Sequence, residues 1–296
     1  MLVVTYNIQW GKGRDERVDL ARIARTVADA DVICLQEVEC NWREMEHADQ
    51  AARLLELLPQ HFATFAPSVD IYSRDKAERA RRRQYGLMTL SRWPILSART
   101  FPLTKYPVHG NLNDQSCLHE AVISPADQPI RIYNTHLNYL SQRQRQIQVA
   151  EVLRAIDDAP RQGGAVTGPA VPADQFGVDW MALEHHEMMQ TPQPALLMGD
   201  FNMRTNSPEY GMLAGEKDPC YGRLHDCTLF ADALTVMGVP EDTGQTHPEG
   251  DTAGYKRIDH IFLTAELIPR VKRAWIDEKA DGSDHQPVFA EFDWGK

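Results

Sequence analysis

The sequence predicts an α/β protein in which two sheets pack face to face and helices cover their outer sides. Three observations indicate this class. A strand, a helix and a second strand follow one another at the start of the chain. Runs of alternating polar and apolar residues then dominate the middle of the chain, as in neighbouring antiparallel strands. The hydrophobic content of 43% and the charged content of 25% are ordinary for a globular chain that can bury a sizeable core.

The chain opens with a predicted buried strand at 2–6, LVVTY. Apolar residues at helical spacing then indicate a helix from Asp15, its predicted N-cap, to Asp29. Residues 32–36, VICLQ, return as a strand. This opening unit places the ends of its two strands at one edge of a sheet.

A second helix is predicted from Trp42 to Leu58, and Pro59 ends it. Strands then follow at 85–91, 118–124 and 130–136, where alternation is clearest. An amphipathic helix is predicted from Ser141 to Asp158.

Residues 159–192 break this pattern and read as an irregular insertion or lid. Within it we predict a short helix at 176–189 that packs near the cleft and shapes substrate choice, or else only patches the edge of the core. His185, His186 and Glu187 are interpreted as surface residues. Further strands are expected at 195–200, 257–264 and 286–292. We therefore expect a single domain over residues 1–296.

The net charge of −11 argues against non-specific nucleic-acid binding, which normally needs a basic surface. Nucleic acid stays a possible partner only through a local patch. The dense basic cluster consists of Arg79, Arg81, Arg82 and Arg83, and a solvated loop or helix face is the more common meaning of such a run.

The residues given before the first predicted strand show no signal-peptide pattern, and no apolar run is long enough to span a bilayer, so we expect a protein that is neither exported nor membrane-spanning. The five cysteines cannot all pair, and none forms a CxxC motif. Reduced thiols in a cytoplasmic, soluble protein are the simplest expectation.

Short polar motifs stand where predicted strands end, and they carry the chemistry. They are TYN ending at Asn7, LQE ending at Glu37, NTH ending at His136, GDFN with Asp200 and Asn202, and SDH with Asp284 and His285. Carboxylates, carboxamides and imidazoles at the mouth of a sheet form an active-site pattern. Oxygen ligands with two histidines and no cysteine suit Mg²⁺, or Mn²⁺, acting on a phosphate ester.

Several of these residues also have a purely structural interpretation. The carboxylate of Glu37 follows an apolar run and needs a cation, although a structural salt bridge would satisfy it equally. Asn7 can form a turn instead of binding a metal. Asp200 and Asn202 share one face of an extended segment, so the carboxylate can orient water while the amide donates to phosphate, unless they only form a turn. Gly199 is expected to let the backbone approach the substrate.

Taken in this order, and with RIDHIF at 257–262, the motifs resemble the endonuclease/exonuclease/phosphatase superfamily, which includes DNase I, apurinic endonucleases, inositol polyphosphate phosphatases and neutral sphingomyelinases. The resemblance covers residue 2 to about residue 292. It implies a single four-layered α/β sandwich, two packed mixed or antiparallel sheets flanked by helices.

The resemblance also implies roles for individual residues. Glu37 corresponds to a metal ligand, with Asn7 and Asp284 beside the metal, and Asp200 and Asn202 correspond to the family's catalytic pair. His285 and His136 correspond to histidines that contact the scissile phosphate, and Asp259 to the aspartate that hydrogen-bonds His285. His260 alternates with Asp259 and is interpreted as structural.

Two departures from the family concern substrate and metal. Gln9 stands where some relatives have a second acidic residue, which weakens the case for a second metal. Many relatives carry an arginine just before the strand at 118–124, and this chain has none there, so a phosphate clamp is missing or comes from elsewhere.

The sequence therefore favours a Mg²⁺-dependent phosphoesterase that cleaves a small or lipid-derived phosphodiester or phosphomonoester by in-line attack of water, with Mn²⁺ as the other candidate ion. A metal-dependent endonuclease or exonuclease is the alternative. A third hypothesis is a phospholigand-binding module without turnover.

Overall fold

The structure is a computed structural model that describes residues 1–74, 76–77, 81–163, 192–247 and 256–295. Its strands are β1 (Leu2–Asn7), β2 (Val32–Cys40), β3 (Phe62–Tyr72), β4 (Arg82–Ser91), β5 (Ser97–Pro102), β6 (Cys117–Ile123), β7 (Ile130–His136), β8 (Ala195–Asp200), β9 (Lys217–Asp218), β10 (Gly222–Arg223), β11 (Phe230–Asp232), β12 (Asp259–Thr264), β13 (Val271–Ile276) and β14 (Val288–Phe292). Its helices are α1 (Leu20–Val27), α2 (Gln50–Leu57), α3 (Gln142–Gln162), α4 (Pro208–Ala214) and α5 (Ala233–Val236).

Two six-stranded sheets form the centre of the protein. The first has the order β13-β14-β1-β2-β4-β3, and the second has the order β11-β12-β8-β7-β6-β5. One pair in each sheet is parallel, β1 with β2 and β7 with β8, while the other neighbours are antiparallel. The parallel pairs bring strand ends together, since Asn7 lies opposite Gln36 and His136 lies opposite Asp200.

Three large apolar clusters divide the molecule into layers. The first lies between the sheets and includes Val3 and Val32 of one sheet and Ile132 and Leu196 of the other. The second packs α3 and α4 against the outer face of the second sheet. The third packs α1 and α2 against the outer face of the first sheet. Because burial of apolar surface is the dominant favourable term in folding, these interfaces fix the layer order. The predicted four-layered α/β sandwich is confirmed.

A buried polar contact also joins the two sheets beneath the site. Gln36 of β2 donates to Oδ1 of Asn134 in β7 at 2.7 Å. The amide of Asn134 donates in turn to the carbonyls of Leu35 and Met88, at 3.1 Å each. Asn134 is fully buried, so these bonds are made away from water and fix the sheets in register at this point.

Local capping corrects the predicted start of two helices. The first helix begins at Leu20 and not at Asp15, because Asp19 caps it by accepting from the amide of Arg22 at 3.0 Å. The predicted helix from Trp42 to Leu58 is wrong over its first half. Residues 43–45 form only a 3-10 turn, and α2 starts where Asp49 accepts from the amide of Ala52 at 2.9 Å.

The third helix extends further than the sequence predicts. It runs to Gln162 despite Pro160, so the first residues of the predicted insertion are helical. The rest of that insertion, residues 164–191, lies outside the described residues. The predicted helix at 176–189 and the residues His185, His186 and Glu187 therefore stay predictions, as does the single domain.

Within the described residues, no helix is both long enough and apolar enough to cross a membrane. All five cysteines carry free thiols: Cys34, Cys40 and Cys117 are buried, and Cys220 and Cys227 are exposed.

Candidate active site

The predicted site residues meet in one cleft of about 1360 Å³ at the ends of the parallel strand pairs. Its lining includes Glu37, His136, Asp200, Asn202, Asp284 and His285. Asn7 and Asp259 are fully buried directly behind this surface. The structure thus brings together all eight residues that the sequence singled out.

Asp200 lies at the centre of the group. Its Oδ2 accepts from the amide of Asn7 at 3.0 Å, and it lies 3.4 Å from Nε2 of His136 and 3.7 Å from Nε2 of His285. Burial opposes a charge on this carboxylate, but His285 and His136 lower the pKa of Asp200 below its usual value. Asp200 is therefore an ionised carboxylate at neutral pH, able to orient a water molecule.

Gly199 explains how Asp200 reaches this position. A Cβ atom at Gly199 would lie 2.0 Å from the carbonyl oxygen of Thr135 on the neighbouring strand. Its φ of 153° is also one that residues with side chains rarely adopt. The close approach that the structure shows at Gly199 is between β8 and β7, and backbone approach to a substrate stays a prediction.

Glu37 projects into the cleft because β2 is irregular at this point. The pairing of β2 with β4 shifts register between Leu35 and Val38, and Glu37 has a positive φ of 61°. Its Oε1 accepts from the amide of Asn7 at 3.0 Å. None of the ion pairs in the described part of the chain includes Glu37, so the salt-bridge alternative finds no support there. Burial, above all, raises the pKa of Glu37.

Asn7 and Gln9 hold the acidic residues in place. The amide of Asn7 donates to both Glu37 and Asp200, and its Oδ1 accepts from the backbone of Gln9 at 3.0 Å. The side chain of Gln9 donates to Oδ2 of Asp284 at 2.7 Å. The Asn7 amide therefore orients two carboxylates, and direct metal ligation by Asn7 stays a prediction.

The donor set fits a divalent cation. The Glu37 carboxylate is half-buried and its hydrogen-bond partner is an uncharged amide, and Asp284 is half-buried and lines the same cleft. Burial opposes the charge on Asp284, while the neighbouring imidazoles of His247 and His285 lower its pKa. Hard oxygen ligands of this kind suit Mg²⁺ or Mn²⁺, and a bound cation would offset the cost of partly desolvating the Glu37 carboxylate.

Asp259 and His285 form a tight buried pair. Nδ1 of His285 lies 2.8 Å from Oδ2 of Asp259, and the two side chains are almost inaccessible to solvent. Burial disfavours a charged imidazole, but Asp259 and Asp200 outweigh it and raise the pKa of His285 to about 10. At neutral pH His285 is thus an imidazolium, which donates protons and does not accept them.

Asn202 contacts His136 across the cleft floor. Its amide nitrogen lies 3.1 Å from Nε2 of His136 and donates to the carbonyl of Leu137 at 3.0 Å. Both amide hydrogens of Asn202 are used in this arrangement. Donation by Asn202 to a phosphate would require it to release one of these bonds, and its catalytic role stays a prediction.

His260 has the structural surroundings that its alternation with Asp259 suggests. It is fully buried, with Nδ1 at 3.0 Å from Oδ2 of Asp232 and Nε2 at 3.2 Å from the carbonyl of Met203. These contacts lie on the side of β12 that faces away from the cleft.

His247 and Lys256 also line the cleft, and sequence reasoning missed both. Nε2 of His247 lies 3.6 Å from Oδ2 of Asp284, and its ring packs edge-on against His285 at 4.7 Å. His247 is outside any strand, so the pattern of polar residues at predicted strand ends does not include it. The dipeptide Thr246–His247, ten residues before the RIDHIF motif, was the available signal.

Basic residues are scarce around the cleft. Among the described lining residues three are Lys or Arg, namely Lys105, Arg145 and Lys256, while seven are Asp or Glu. Arg145 pairs with Glu209 at 2.8 Å and Arg82 pairs with Asp70. Arg79 of the predicted basic cluster lies outside the described residues.

Residues 4–285 match the Endonuclease/Exonuclease/phosphatase family. No curated protein matches the sequence. Similar solved structures include an endonuclease/exonuclease/phosphatase from Beutenbergia cavernae, with a TM-score of 0.63, 20% identity, and coverage of 99% of this chain and 71% of that one.

Two further solved structures are also similar to this chain. The mannosyl-6-phosphatase of Bacteroides thetaiotaomicron is 18% identical, with a TM-score of 0.59 and coverage of 99% of this chain and 100% of that one. A humanized D. rerio TDP2 is 16% identical, with a TM-score of 0.59 and coverage of 99% and 98%. At these identities the likeness establishes the fold alone.

Proposed function

The chain belongs to the endonuclease/exonuclease/phosphatase family, whose members hydrolyse phosphoester bonds, and from this premise we propose that it is a Mg²⁺-dependent phosphoesterase, with Mn²⁺ as an alternative ion. The observation that carries the proposal is the position of Asp200. One of its oxygens faces Asn7, His136 and His285 within 3.7 Å, while Asn7 joins it to the half-buried Glu37.

Each group has a definite task in this proposal. Glu37 and Asp284 would hold the divalent ion, which would supply positive charge that stabilises the negative charge developing on the phosphate ester. Asp200 orients the attacking water and receives its proton. His285, kept protonated by Asp259, donates to a non-bridging oxygen of the phosphate, and His136, oriented by Asn202, contacts another.

The shape and charge of the cleft support a small or lipid-derived ester as substrate. Seven carboxylates against three basic side chains disfavour a polyanionic strand. Leu112, Tyr139 and Leu140 line the cleft and expose 80%, 48% and 36% of their surface. These apolar side chains can receive the organic part of an ester.

A phosphate-ester panel tests the proposal. We expect purified protein with Mg²⁺ or Mn²⁺ to hydrolyse bis(p-nitrophenyl) phosphate or p-nitrophenyl phosphate, EDTA to abolish turnover, and added metal to restore it. Asp200→Asn, which keeps the shape of the side chain, should lower kcat by about 10²–10⁴. The exposed Glu278→Gln is the matched control for loss of one negative charge.

Turnover that is unaffected by EDTA and by Asp200→Asn would overturn the proposal. Metal binding without any turnover would favour the non-catalytic module. Rapid nicking of plasmid DNA without hydrolysis of either small ester would instead place the nuclease hypothesis first.

A further inference from the structure

Thr246, the preceding residue in the chain, holds His247 in a fixed position beside the buried pair of Asp259 and His285. Oγ1 of Thr246 accepts from the backbone amides of Ile258 and Asp259, at 3.0 Å and 3.1 Å. The carbonyl of Thr246 accepts from the amide of Gln286 at 2.7 Å. The segment therefore connects the start of β12 to the loop that carries His285, and His247 has a fixed position between them.

The surroundings of His247 first suggest a cation site. Nitrogen atoms of His247 and His285 and an oxygen of Asp284 lie within 4.8 Å of one another. Two imidazoles and a carboxylate at this spacing could hold a transition metal.

Lys256 contradicts that interpretation. Its Nζ lies 3.0 Å from Nδ1 of His247. An ammonium group has only donors, so Nδ1 must accept, and the single proton of the neutral imidazole must lie on Nε2. A metal ligand needs a lone pair at Nε2, and a doubly protonated His247 would face the ammonium with another N–H. Lys256 thus fixes the tautomer in which His247 is a hydrogen-bond donor toward the cleft.

This N–H has no close acceptor in the described part of the chain. Oδ2 of Asp284 is the nearest charged oxygen, at 3.6 Å, which is too long for a hydrogen bond. That oxygen already accepts from Gln9 at 2.7 Å. The ring is 18% exposed, so an acceptor entering the cleft can reach it.

We propose that His247 is a phosphate-binding residue that donates Nε2–H to an oxygen of the substrate's phosphoryl group. Lys256 is a positioning residue, which donates to Nδ1 of His247 and so keeps the proton on Nε2. This inference rests on the proposed function, since it names a further residue of the same site. The edge-on contact holds the imidazoles of His247 and His285 next to each other in the cleft.

Two binding titrations separate a phosphate donor from a metal ligand. Mn²⁺ is titrated into the protein, and inorganic phosphate is then titrated into the Mn²⁺-loaded protein, both by calorimetry. His247→Phe keeps the ring shape and removes the donor. We expect it to bind Mn²⁺ within about twofold of the wild type and phosphate at least about tenfold more weakly, as for loss of a hydrogen bond to a charged group. His247→Gln should recover most of the phosphate affinity through its amide.

The role of Lys256 is tested with a double-mutant cycle. Lys256→Met should weaken phosphate binding in the wild type but have little effect in the His247→Phe background, because Lys256 acts through His247. The exposed His109→Phe is the matched control and should change neither affinity. Equal losses in both backgrounds would overturn the positioning by Lys256.

Loss of Mn²⁺ affinity in His247→Phe, or unchanged phosphate affinity, would overturn the donor assignment. Long-range ¹⁵N–¹H spectra of the wild-type protein test it without any substitution, since a proton on Nδ1 of His247 would contradict it. Because no step requires turnover, a failed ester panel would reject the proposed function while leaving this test intact.

Discussion

Asp259 and His285 illustrate how a single hydrogen bond sets the chemistry of a residue. Their 2.8 Å contact is buried, so neither group can exchange its partner for water. Without Asp259, the ring of His285 is free to rotate and loses a carboxylate that raises its pKa. Removing His285 leaves a buried carboxylate without its counter-charge.

We therefore predict that these two residues act as one unit. Asp259→Ala and His285→Ala should each lower kcat by about 10²–10⁴, and the double variant should lose little more, because grouped catalytic residues are not additive. Steady-state rates on the best substrate of the ester panel provide the measurement, with His109→Ala as the control. If the fold-loss of kcat in the double variant equals the product of the two single losses, the pairing is contradicted.

At the scale of residues, the sequence predicted those members of the site that lie at the end of a strand. His136 and Asp200 end neighbouring parallel strands, and the registers of such strands bring their ends together. The orientation of Asn202 and the role of Lys256 depend on contacts with Leu137 and His247 that are remote in sequence or lie outside strands. No local pattern encodes such contacts.

At the scale of elements, Asn134 joins the sheets where β2 changes register. Asn134→Ala removes three hydrogen bonds and leaves the amide of Gln36 and two carbonyls facing a fully buried gap. We predict that it lowers the free energy of unfolding by about 2–4 kcal/mol, measured by urea denaturation. The exposed Asn111→Ala should change this free energy by less than about 0.5 kcal/mol. A similar effect of both variants would argue against the inter-sheet contact.

A second polar centre links α4, α5 and β12. Asp232 accepts from Tyr210 at 3.0 Å, from His260 at 3.0 Å and from the amide of Leu234 at 2.9 Å. Burial opposes its charge, but His260 and Arg257 lower the pKa of Asp232 from 3.8 to about 2. A carboxyl whose pKa falls on folding stabilises the protein above its unfolded pKa and loses this effect as the pH falls through its folded pKa.

We predict that Asp232 contributes about 2 kcal/mol of pH-dependent stability at neutral pH, and that about 1 kcal/mol of this is lost between pH 4 and pH 3. The measurement is the difference in unfolding free energy between wild type and Asp232→Asn at each pH. This difference should shrink as the pH falls from 4 toward 2. The exposed Asp29→Asn should show no such trend, and a constant difference for Asp232→Asn would contradict the prediction.

The sequence predicted strands that are buried or that alternate clearly, and it missed elements fixed by other means. The match at β7, Ile130–His136, is complete. In contrast, β3 is mostly half-buried or exposed, so its residues lack the apolar signal of a central strand. The helix predicted from Trp42 fails because Glu46 and His47 adopt left-handed backbone conformations, which no hydrophobic pattern reveals.

At the scale of the whole molecule, the acidic site should couple metal binding to folding. Glu37, Asp200 and Asp284 repel one another without an ion, and a ligand that binds only the folded state stabilises it by mass action. We predict that Mn²⁺ at about 100 times its dissociation constant raises the unfolding free energy by about 2.7 kcal/mol. Glu37→Gln should abolish most of this gain, whereas Glu278→Gln should retain it. Equal stabilisation of wild type and Glu37→Gln would exclude Glu37 as a principal ligand.

The net charge of −11 governs how substrates approach the cleft. A protein that neutralises 6–10 phosphates of DNA loses about 10³–10⁵ in affinity between 50 mM and 200 mM salt, because bound counterions are released. The cleft has too few basic side chains for so many contacts in its described part. A small ester carries only one or two charges, and salt screens these weakly at contact distance.

We therefore predict that kcat/KM for the best small ester changes by less than about threefold between 50 mM and 200 mM KCl at constant free Mg²⁺. Replacement of Arg81 and Arg83 by Ala should leave this value within about twofold, since neither arginine is among the described residues that line the cleft. The same assays with plasmid DNA provide the comparison. If DNA cleavage is the faster reaction, falls steeply with salt and is lost in the arginine variants, the acidic surface does not exclude nucleic acid and the nuclease hypothesis replaces the small-ester one.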